Sequence, residues 1–150
     1  MSPQSKTGLL HNNARTEEQK KLMEKIEQDG VCPFCAEHFK TYHPKPILWE
    51  TEHWFITTNM SPYTNTKYHF LFVYKPAHIT NLIDIPSEAQ NDLFVQIHRL
   101  TDEYHIPGGA FFMRFGDHRY TGGSVEHLHA HLIMGDADNP NHEPVRVKLG

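Results

Sequence analysis

The feature that most constrains this chain is a histidine repeat, His-Leu-His-Ala-His at residues 127–131, preceded by Gly-Gly-Ser at residues 122–124. Successive side chains of an extended strand point to opposite faces, so the three histidines would share one face. Their imidazoles would lie roughly 6.6 to 6.8 Å apart along the strand, too far for hydrogen bonds between neighbours. The repeat therefore predicts a half-buried strand with one core face and one chemical face, on which each histidine has a different task.

Histidine is frequent in this chain, with 13 among 150 residues, so accident has to be considered. From that frequency, roughly 0.1 such repeats are expected by chance. The context favours function, because glycines and a serine lead into the repeat and apolar residues fill the alternate positions that a half-buried strand needs.

The stretch Gly123–Ile133, Gly-Ser-Val-Glu-His-Leu-His-Ala-His-Leu-Ile, resembles the signature of the histidine triad (HIT) superfamily, nucleotide hydrolases and nucleotidyl transferases that react at the α-phosphorus. The similarity extends from about Cys32 to about Met134. Cys-Pro-Phe-Cys at 32–35 and the tail at 136–149 are most similar to the zinc-containing, diadenosine tetraphosphate phosphorylase-like branch. The resemblance implies an α+β fold in which an antiparallel sheet of about five strands carries one long helix and a short N-terminal helix.

The resemblance also implies roles for the triad. His129 matches the nucleophile, which would attack the α-phosphorus and form a nucleotidyl-histidine. A neutral imidazole is suited to this, because its ordinary pKa of about 6.5 leaves the free base populated near pH 7. His131 matches the histidine that contacts phosphate and assists the leaving group, and Ser124 is a further catalytic candidate. Water or inorganic phosphate would then release the nucleotide.

Four positions are predicted to contact the nucleotide: Asn59, Arg114, Gly123 and Ser124. Ser124 and the flexible backbone at Gly123 can offer donors to non-bridging phosphate oxygens. Asn59 stands where the family has a ribose-contacting side chain, although an Asn before a Pro-containing loop is also a common turn former. Arg114 and Gly123 depart from the family pattern, which often has Asn and Gln there, and this puts the substrate class in doubt.

Cys32 and Cys35 are the only cysteines of the chain. Two thiolates at this spacing suit one side of a tetrahedral zinc, whereas a redox dithiol is expected between a strand and a helix of a βαβ unit. The resemblance supplies the other two ligands, His78 and His127, and implies a structural zinc with no open coordination position. His69 is predicted to have a supporting role.

Composition restricts the partners. A net charge of −4 argues against binding to a nucleic acid polymer, yet it allows a small nucleotide bound by local donors. Apolar runs long enough to span a membrane are missing, and no secretory signal is recognisable, so we predict a cytoplasmic protein. Residues 1–15 are predicted to be a flexible lead-in and residues 16–150 a single domain. The family resemblance implies a homodimer.

Local patterns predict the elements. Capping boxes begin one helix at Thr16 and a long one at Ser87, and Gly30 ends the first. Strands are predicted at 47–50, 54–58, 68–74 and 110–115, in addition to the triad strand. The polar residues 135–150 are expected to form a surface tail or a dimer-contacting arm.

Two alternatives remain open from the sequence. The three triad histidines together would make a metal-centred enzyme, because histidines on one face can bind a catalytic zinc. A non-catalytic nucleotide-binding or protein-interaction module with a structural zinc would keep the same pocket without turnover.

Overall fold

The computed structural model describes residues 16–150, so the predicted flexible lead-in at 1–15 lies outside the described residues. Three helices and five strands follow in the order α1 (Glu17–Asp29), α2 (Ala36–Tyr42), β1 (Ile47–Glu50), β2 (Trp54–Thr58), β3 (Thr66–Tyr74), α3 (Ser87–Glu103), β4 (Ala110–Met113) and β5 (His129–Gly135). The strands form one antiparallel sheet in the order β1-β2-β3-β5-β4. The predicted α+β architecture is confirmed.

The two faces of the sheet have different partners. Phe70 and Phe72 of β3 point to the face covered by α3, where they join Leu93 and Leu100 in the main core. Leu71 and Val73 point to the opposite face and pack against Phe39 of α2. Alternation along the strand explains both sets, since neighbouring side chains leave a strand on opposite sides.

The strand register decides where the triad points. His131 lies opposite Leu71 and His129 lies opposite Val73, while Ala130 and Leu132 belong to the core under α3. His129 and His131 therefore occupy the face of the sheet that α3 leaves uncovered. The structure thus confirms that these two histidines point away from the core face, as the alternation predicted.

Helix α1 borders that same face. The hydroxyl of Thr16 accepts a hydrogen bond from the backbone N–H of Gln19 at 3.0 Å, which caps the helix as predicted. Gly30 ends the helix with a left-handed backbone, φ 72°, a conformation that costs glycine little. Met23 and Ile26 are buried together with Val125, so α1 packs on the segment that leads into the triad.

Two local predictions need correction, and one short helix was missed. The capping box at Ser87 is wrong: the extended residue before the helix is Pro86, and the Gln90 side chain donates to the carbonyl of Ile85. Helix α2 was not predicted, because its seven residues are too few for a periodic pattern. Strand β5 begins at His129, so His127 precedes the strand instead of lying on it.

Among residues 16–150, no helix is long and apolar enough to cross a membrane.

Candidate functional site

Four predicted zinc ligands meet beside the start of β5: Cys32 and Cys35 between α1 and α2, His78 after β3, and His127 before β5. Their ligand atoms all lie within 4.8 Å of one another. Because His127 lies outside the strand, its ring can turn toward the cysteines while the later histidines face the cavity. In the part of the chain that the structure describes, no other group of three or more metal-ligating side chains forms such a cluster.

The separations within this cluster fit a tetrahedral zinc. Zn–S bonds of about 2.3 Å and Zn–N bonds of about 2.0 Å would hold sulfur and nitrogen about 3.6 Å apart, and two nitrogens about 3.3 Å apart. His127 Nδ1 lies 3.6 Å from Cys32 Sγ and 3.7 Å from Cys35 Sγ, and the two His Nδ1 atoms are 3.3 Å apart. Cys35 Sγ is 3.5 Å from His78 Nδ1. The separations among these four side chains therefore fit a tetrahedral zinc ion.

Protonation of these side chains also suits a cation. His127 Nε2 donates to the Tyr74 carbonyl at 2.6 Å, which leaves the Nδ1 lone pair directed at the thiols. Burial lowers the pKa of His127 to about 4, so the ring is neutral. Burial and then the charge of Cys32 raise the pKa of Cys35 to about 12. A bound cation would reverse this second effect, because it stabilises both thiolates.

His129 is buried, and within residues 16–150 its Nε2 has no hydrogen-bond partner. A carbonyl can only accept, so the 2.7 Å contact between His129 Nδ1 and the backbone oxygen of His127 places the ring proton on Nδ1. Nε2 then keeps its lone pair. Burial lowers the pKa of His129 to about 4, which maintains this free base at neutral pH. Phe34, from the segment between the two cysteines, packs edge-on against the ring at 5.0 Å.

His131 has the opposite tautomer, and His69 imposes it. The backbone N–H of Tyr63 donates to His69 Nδ1 at 3.1 Å, so the proton of a neutral His69 lies on Nε2. That N–H donates to His131 Nδ1 at 2.7 Å, which leaves the His131 proton on Nε2. The ring of His131 is stacked on Phe112 with centroids 4.6 Å apart. His69 therefore contacts His131 directly, and its supporting role stays a prediction.

The predicted spacing between triad rings differs from the observed one. The centroids of His129 and His131 are 4.9 Å apart, because the rings tilt toward each other by 55° between planes. Nδ1 of each ring is directed at a protein partner, and His127 faces the cysteines. The three imidazoles therefore do not converge on one point, which disfavours a metal centre built from the triad alone.

Ser124 lines the cavity with His129 and His131, whereas the backbone N–H of Gly123, a predicted phosphate donor, donates to the Thr121 hydroxyl at 3.2 Å. The Ser124 hydroxyl oxygen accepts from the side-chain amide of Gln19 in α1 at 3.3 Å. A side chain at Gly123 would meet Arg114, whose Cδ would be 3.1 Å from an added Cβ. Arg114 thus occupies the space that a residue such as Gln would need at position 123. This contact gives a physical reason for the two departures from the family pattern.

Arg114 donates hydrogen bonds to three separate segments of the chain. Its Nε donates to the Thr121 carbonyl at 2.7 Å, Nη1 to the Tyr63 hydroxyl at 2.9 Å and Nη2 to the Lys148 carbonyl at 2.8 Å. Nη1 is also 3.5 Å from His131 Nε2. Arg114 therefore places its positive charge next to the proton-bearing nitrogen of His131.

Asn59 has the turn contact considered from the sequence, and its contact with a ribose stays a prediction. Its side-chain oxygen accepts from the backbone N–H of Ser61 at 2.8 Å, as in a turn, while the residue also lines the cavity. The amide nitrogen is 3.2 Å from His69 Nε2, which already donates to His131.

A cavity of about 530 Å³ contains these groups. Its apolar wall comes from α1 and the segments that pack on it, with Leu22, Met23, Ile26, Pro33 and Val125. Its polar wall contains predicted residues, namely Asn59, Arg114, Ser124, His129 and His131, together with Glu143, Arg146 and Lys148 of the tail. Sequence reasoning missed Gln19, Phe34, Tyr63 and the tail residues. For the tail, the available sequence signal is the alternation of apolar and basic residues in Val-Arg-Val-Lys at 145–148.

Comparisons with known proteins agree with this geometry. The HIT domain model matches residues 40–138. A histidine triad protein from Clostridium difficile is 26% identical, with a TM-score of 0.50 over 69% of this chain and 90% of its own. A HIT family hydrolase from Clostridium thermocellum is 21% identical, with a TM-score of 0.54 over 75% and 94% of the two chains.

A Zn-bound histidine triad family protein from Mycobacterium smegmatis is 19% identical, with a TM-score of 0.51 over 72% of this chain and 77% of its own. No curated protein matches the chain. The family model covers well over half of the sequence and includes the whole triad, so this chain belongs to the HIT domain family of nucleotide hydrolases and transferases.

Proposed function

We propose that this protein transfers a nucleotidyl group from a small nucleotide through a covalent bond to His129. The observation that carries the proposal is the 2.7 Å contact between His129 Nδ1 and the His127 carbonyl. That contact directs the ring proton away from the cavity and leaves Nε2 as a nucleophile. Burial, which lowers the pKa of His129 to about 4, keeps the nucleophile unprotonated.

In the first step, His129 Nε2 attacks the α-phosphorus as the bond from phosphorus to the leaving-group oxygen breaks. The electron pair of that bond stays with the oxygen, which leaves as an anion and accepts a hydrogen bond from the Nε2–H of His131. The tautomer of His131 supports this role, because its Nδ1 accepts from His69 and its proton therefore lies on Nε2. Arg114 and Ser124 would stabilise the charge on the non-bridging oxygens.

In the second step, water or inorganic phosphate attacks the phosphorus of the nucleotidyl-histidine. The bond to Nε2 breaks, and its electron pair returns to His129. The proton that the acceptor loses passes to solvent, because His131 keeps its Nε2 proton throughout. The products with water are a nucleoside monophosphate, the anionic leaving group and one proton.

We further propose that Cys32, Cys35, His78 and His127 hold one structural zinc. With four protein ligands the ion would have no position for substrate, so its contribution would be to fix the segments around His129. Phe34 supports this connection, since it lies between the two cysteines and packs against His129.

We propose a homodimer formed through α3 and β4. Phe94 and Val95 of α3 are about half exposed, and Phe111 of β4 is 39% exposed. The rings of Phe94 and Phe111 are 5.8 Å apart, so these side chains form one apolar patch. Strand β4 is also an edge of the sheet that residues 16–150 form, and edge strands can pair with another chain.

The proposed activity is tested by trapping the intermediate. The protein is incubated at low temperature with radiolabelled diadenosine tetraphosphate or adenosine phosphoramidate and quenched in alkali, in which phosphoramidates survive. We expect an adenylyl group on His129, located by peptide mapping, and none in His129→Ala. The matched control is His98→Ala, which removes an exposed histidine of α3 that does not line the cavity.

The alternatives give different results. A metal-centred enzyme would form no adduct and would lose metal when His129 is changed. A non-catalytic binding module would retain nucleotide affinity without adduct or turnover. Full turnover by His129→Ala would contradict the proposed mechanism.

A further inference from the structure

The tail at residues 136–150 returns to the catalytic cavity instead of leaving the domain. It leaves β5 beside the start of β3, where the Asp136 N–H donates to the Asn65 carbonyl at 3.1 Å. Farther along, the Lys148 carbonyl accepts from Arg114 Nη2 at 2.8 Å. The end of the tail lies against the loop that leads into the triad, where Gly122 is its neighbour.

The contact at Gly122 leaves no room for a side chain. An added Cβ would lie 2.8 Å from the Lys148 carbonyl oxygen and 3.0 Å from the Gly150 nitrogen, and the backbone of Gly122 has φ +70°. Only glycine combines this backbone with so close an approach at little cost. The loop is thus shaped to receive the tail.

This path gives the cavity a positive side. Arg146 and Lys148 join Arg114 in its lining, and among the residues that the structure describes Glu143 is the single carboxylate there. The chain as a whole carries a net charge of −4, so the excess of cations is local. Three of the five N–H groups of Arg114, one each on Nε, Nη1 and Nη2, donate to protein oxygens and fix its position. Arg146 and Lys148 are exposed side chains on the solvent side of the same cavity.

We propose that Arg146 and Lys148 form a subsite for the leaving group, and that this protein acts on nucleotides whose leaving group itself carries phosphate. This inference rests on the proposed nucleotidyl transfer to His129. When the bond from the α-phosphorus to the bridging oxygen breaks, the electron pair remains on that oxygen. A polyphosphate leaving group therefore gains negative charge, and cationic residues that line the same cavity as His131 stabilise it in the transition state.

The test compares two substrates that donate the same adenylyl group. Diadenosine tetraphosphate has a polyphosphate leaving group, whereas the p-nitrophenyl ester of AMP has one without phosphate. We measure kcat/KM for both with the full chain and with Arg146→Gln, Lys148→Gln and the double variant. The charge control is Lys21→Gln, an exposed lysine of α1 that does not line the cavity.

We expect the double variant to lose about tenfold or more of its kcat/KM for diadenosine tetraphosphate and less than about twofold for the ester, because charge-assisted hydrogen bonds to phosphate are lost from one substrate only. Lys21→Gln should leave both values unchanged. Equal losses for both substrates, or no loss for either, would overturn the subsite while the proposed activity stands. If the unmodified protein turned over neither substrate and formed no adduct, the proposed function and the subsite would both be refuted.

Discussion

The side-chain nitrogen of Gln19 lies 3.3 Å from the hydroxyl oxygen of Ser124, so α1 reaches the segment that leads into the triad across 105 positions of the chain. Because the amide nitrogen can only donate, Ser124 is the acceptor in this bond. Its own hydroxyl proton then stays available for a phosphate oxygen. Gln19 is therefore a positioning residue for Ser124.

Replacing Gln19 by Leu should lower kcat/KM about threefold to tenfold, since a net hydrogen bond of about 1 kcal/mol that orients the hydroxyl is lost. The helix cap should survive, because Thr16 binds the backbone N–H of residue 19 and not its side chain. Gln28→Leu makes the same change at an exposed position of α1 and serves as the control. If Gln19→Leu lowers kcat/KM by the same factor in the Ser124→Ala protein, its effect does not act through the Ser124 hydroxyl.

One tightly held zinc per chain is expected in protein purified without chelator. Cys35→Ser should lose the metal and lower the melting temperature together, because a structural zinc contributes folding free energy. Activity should fall as well, since Phe34 lies in the metal loop and supports the ring of His129. His129→Ala should keep its zinc.

Metal analysis by mass spectrometry of the intact protein checks this count. Two equivalents would favour a second, catalytic metal, and protein that is active and stable without metal would remove the proposed site.

The stability of the protein should decrease as the pH falls from about 6.5 to about 4. Burial lowers the pKa of His43 to about 4 from its ordinary 6.5, so in this range the unfolded chain binds the proton that the folded protein excludes. The free energy of unfolding therefore falls as the pH falls. It stops changing below the pKa that His43 has in the folded protein. His43→Phe should show a shallower decline of melting temperature with falling pH.

Thr57→Val is the matched control for that variant. His43 Nε2 contacts the Thr57 hydroxyl at 2.8 Å, so both substitutions lose this bond and should lower stability at pH 7 by about 1 kcal/mol. Only His43→Phe removes the titrating group. The same pH slope in both variants would show that His43 is not the source.

The proposed dimer is tested by charge at its apolar patch. Phe94→Glu or Phe111→Glu should give a monomer at micromolar concentration, because a carboxylate buried in an apolar interface is costly to desolvate. Light scattering measures the mass directly. Glu88→Gln changes a charge at the start of the same helix and should leave the mass unaltered. A monomeric mass for the unmodified protein would end the proposal.

Much of the fold can be predicted from local patterns in the sequence. Strands β1 and β2 and the alternation of His129 and His131 with Ala130 and Leu132 follow from local periodicity, because a strand sends neighbouring side chains to opposite faces. The candidate zinc ligands and triad residues also came from spacing and family resemblance.

Contacts between distant segments could not be obtained in that way. The bond from Gln19 to Ser124, the packing of Phe34 on His129 and the return of Lys148 to Arg114 join elements that have no periodic relation in the sequence. The tautomer of His131 depends on a backbone N–H at Tyr63, which reaches His69 only when the loop after β2 closes. Such contacts depend on how elements pack in three dimensions, and local residue patterns do not specify that packing.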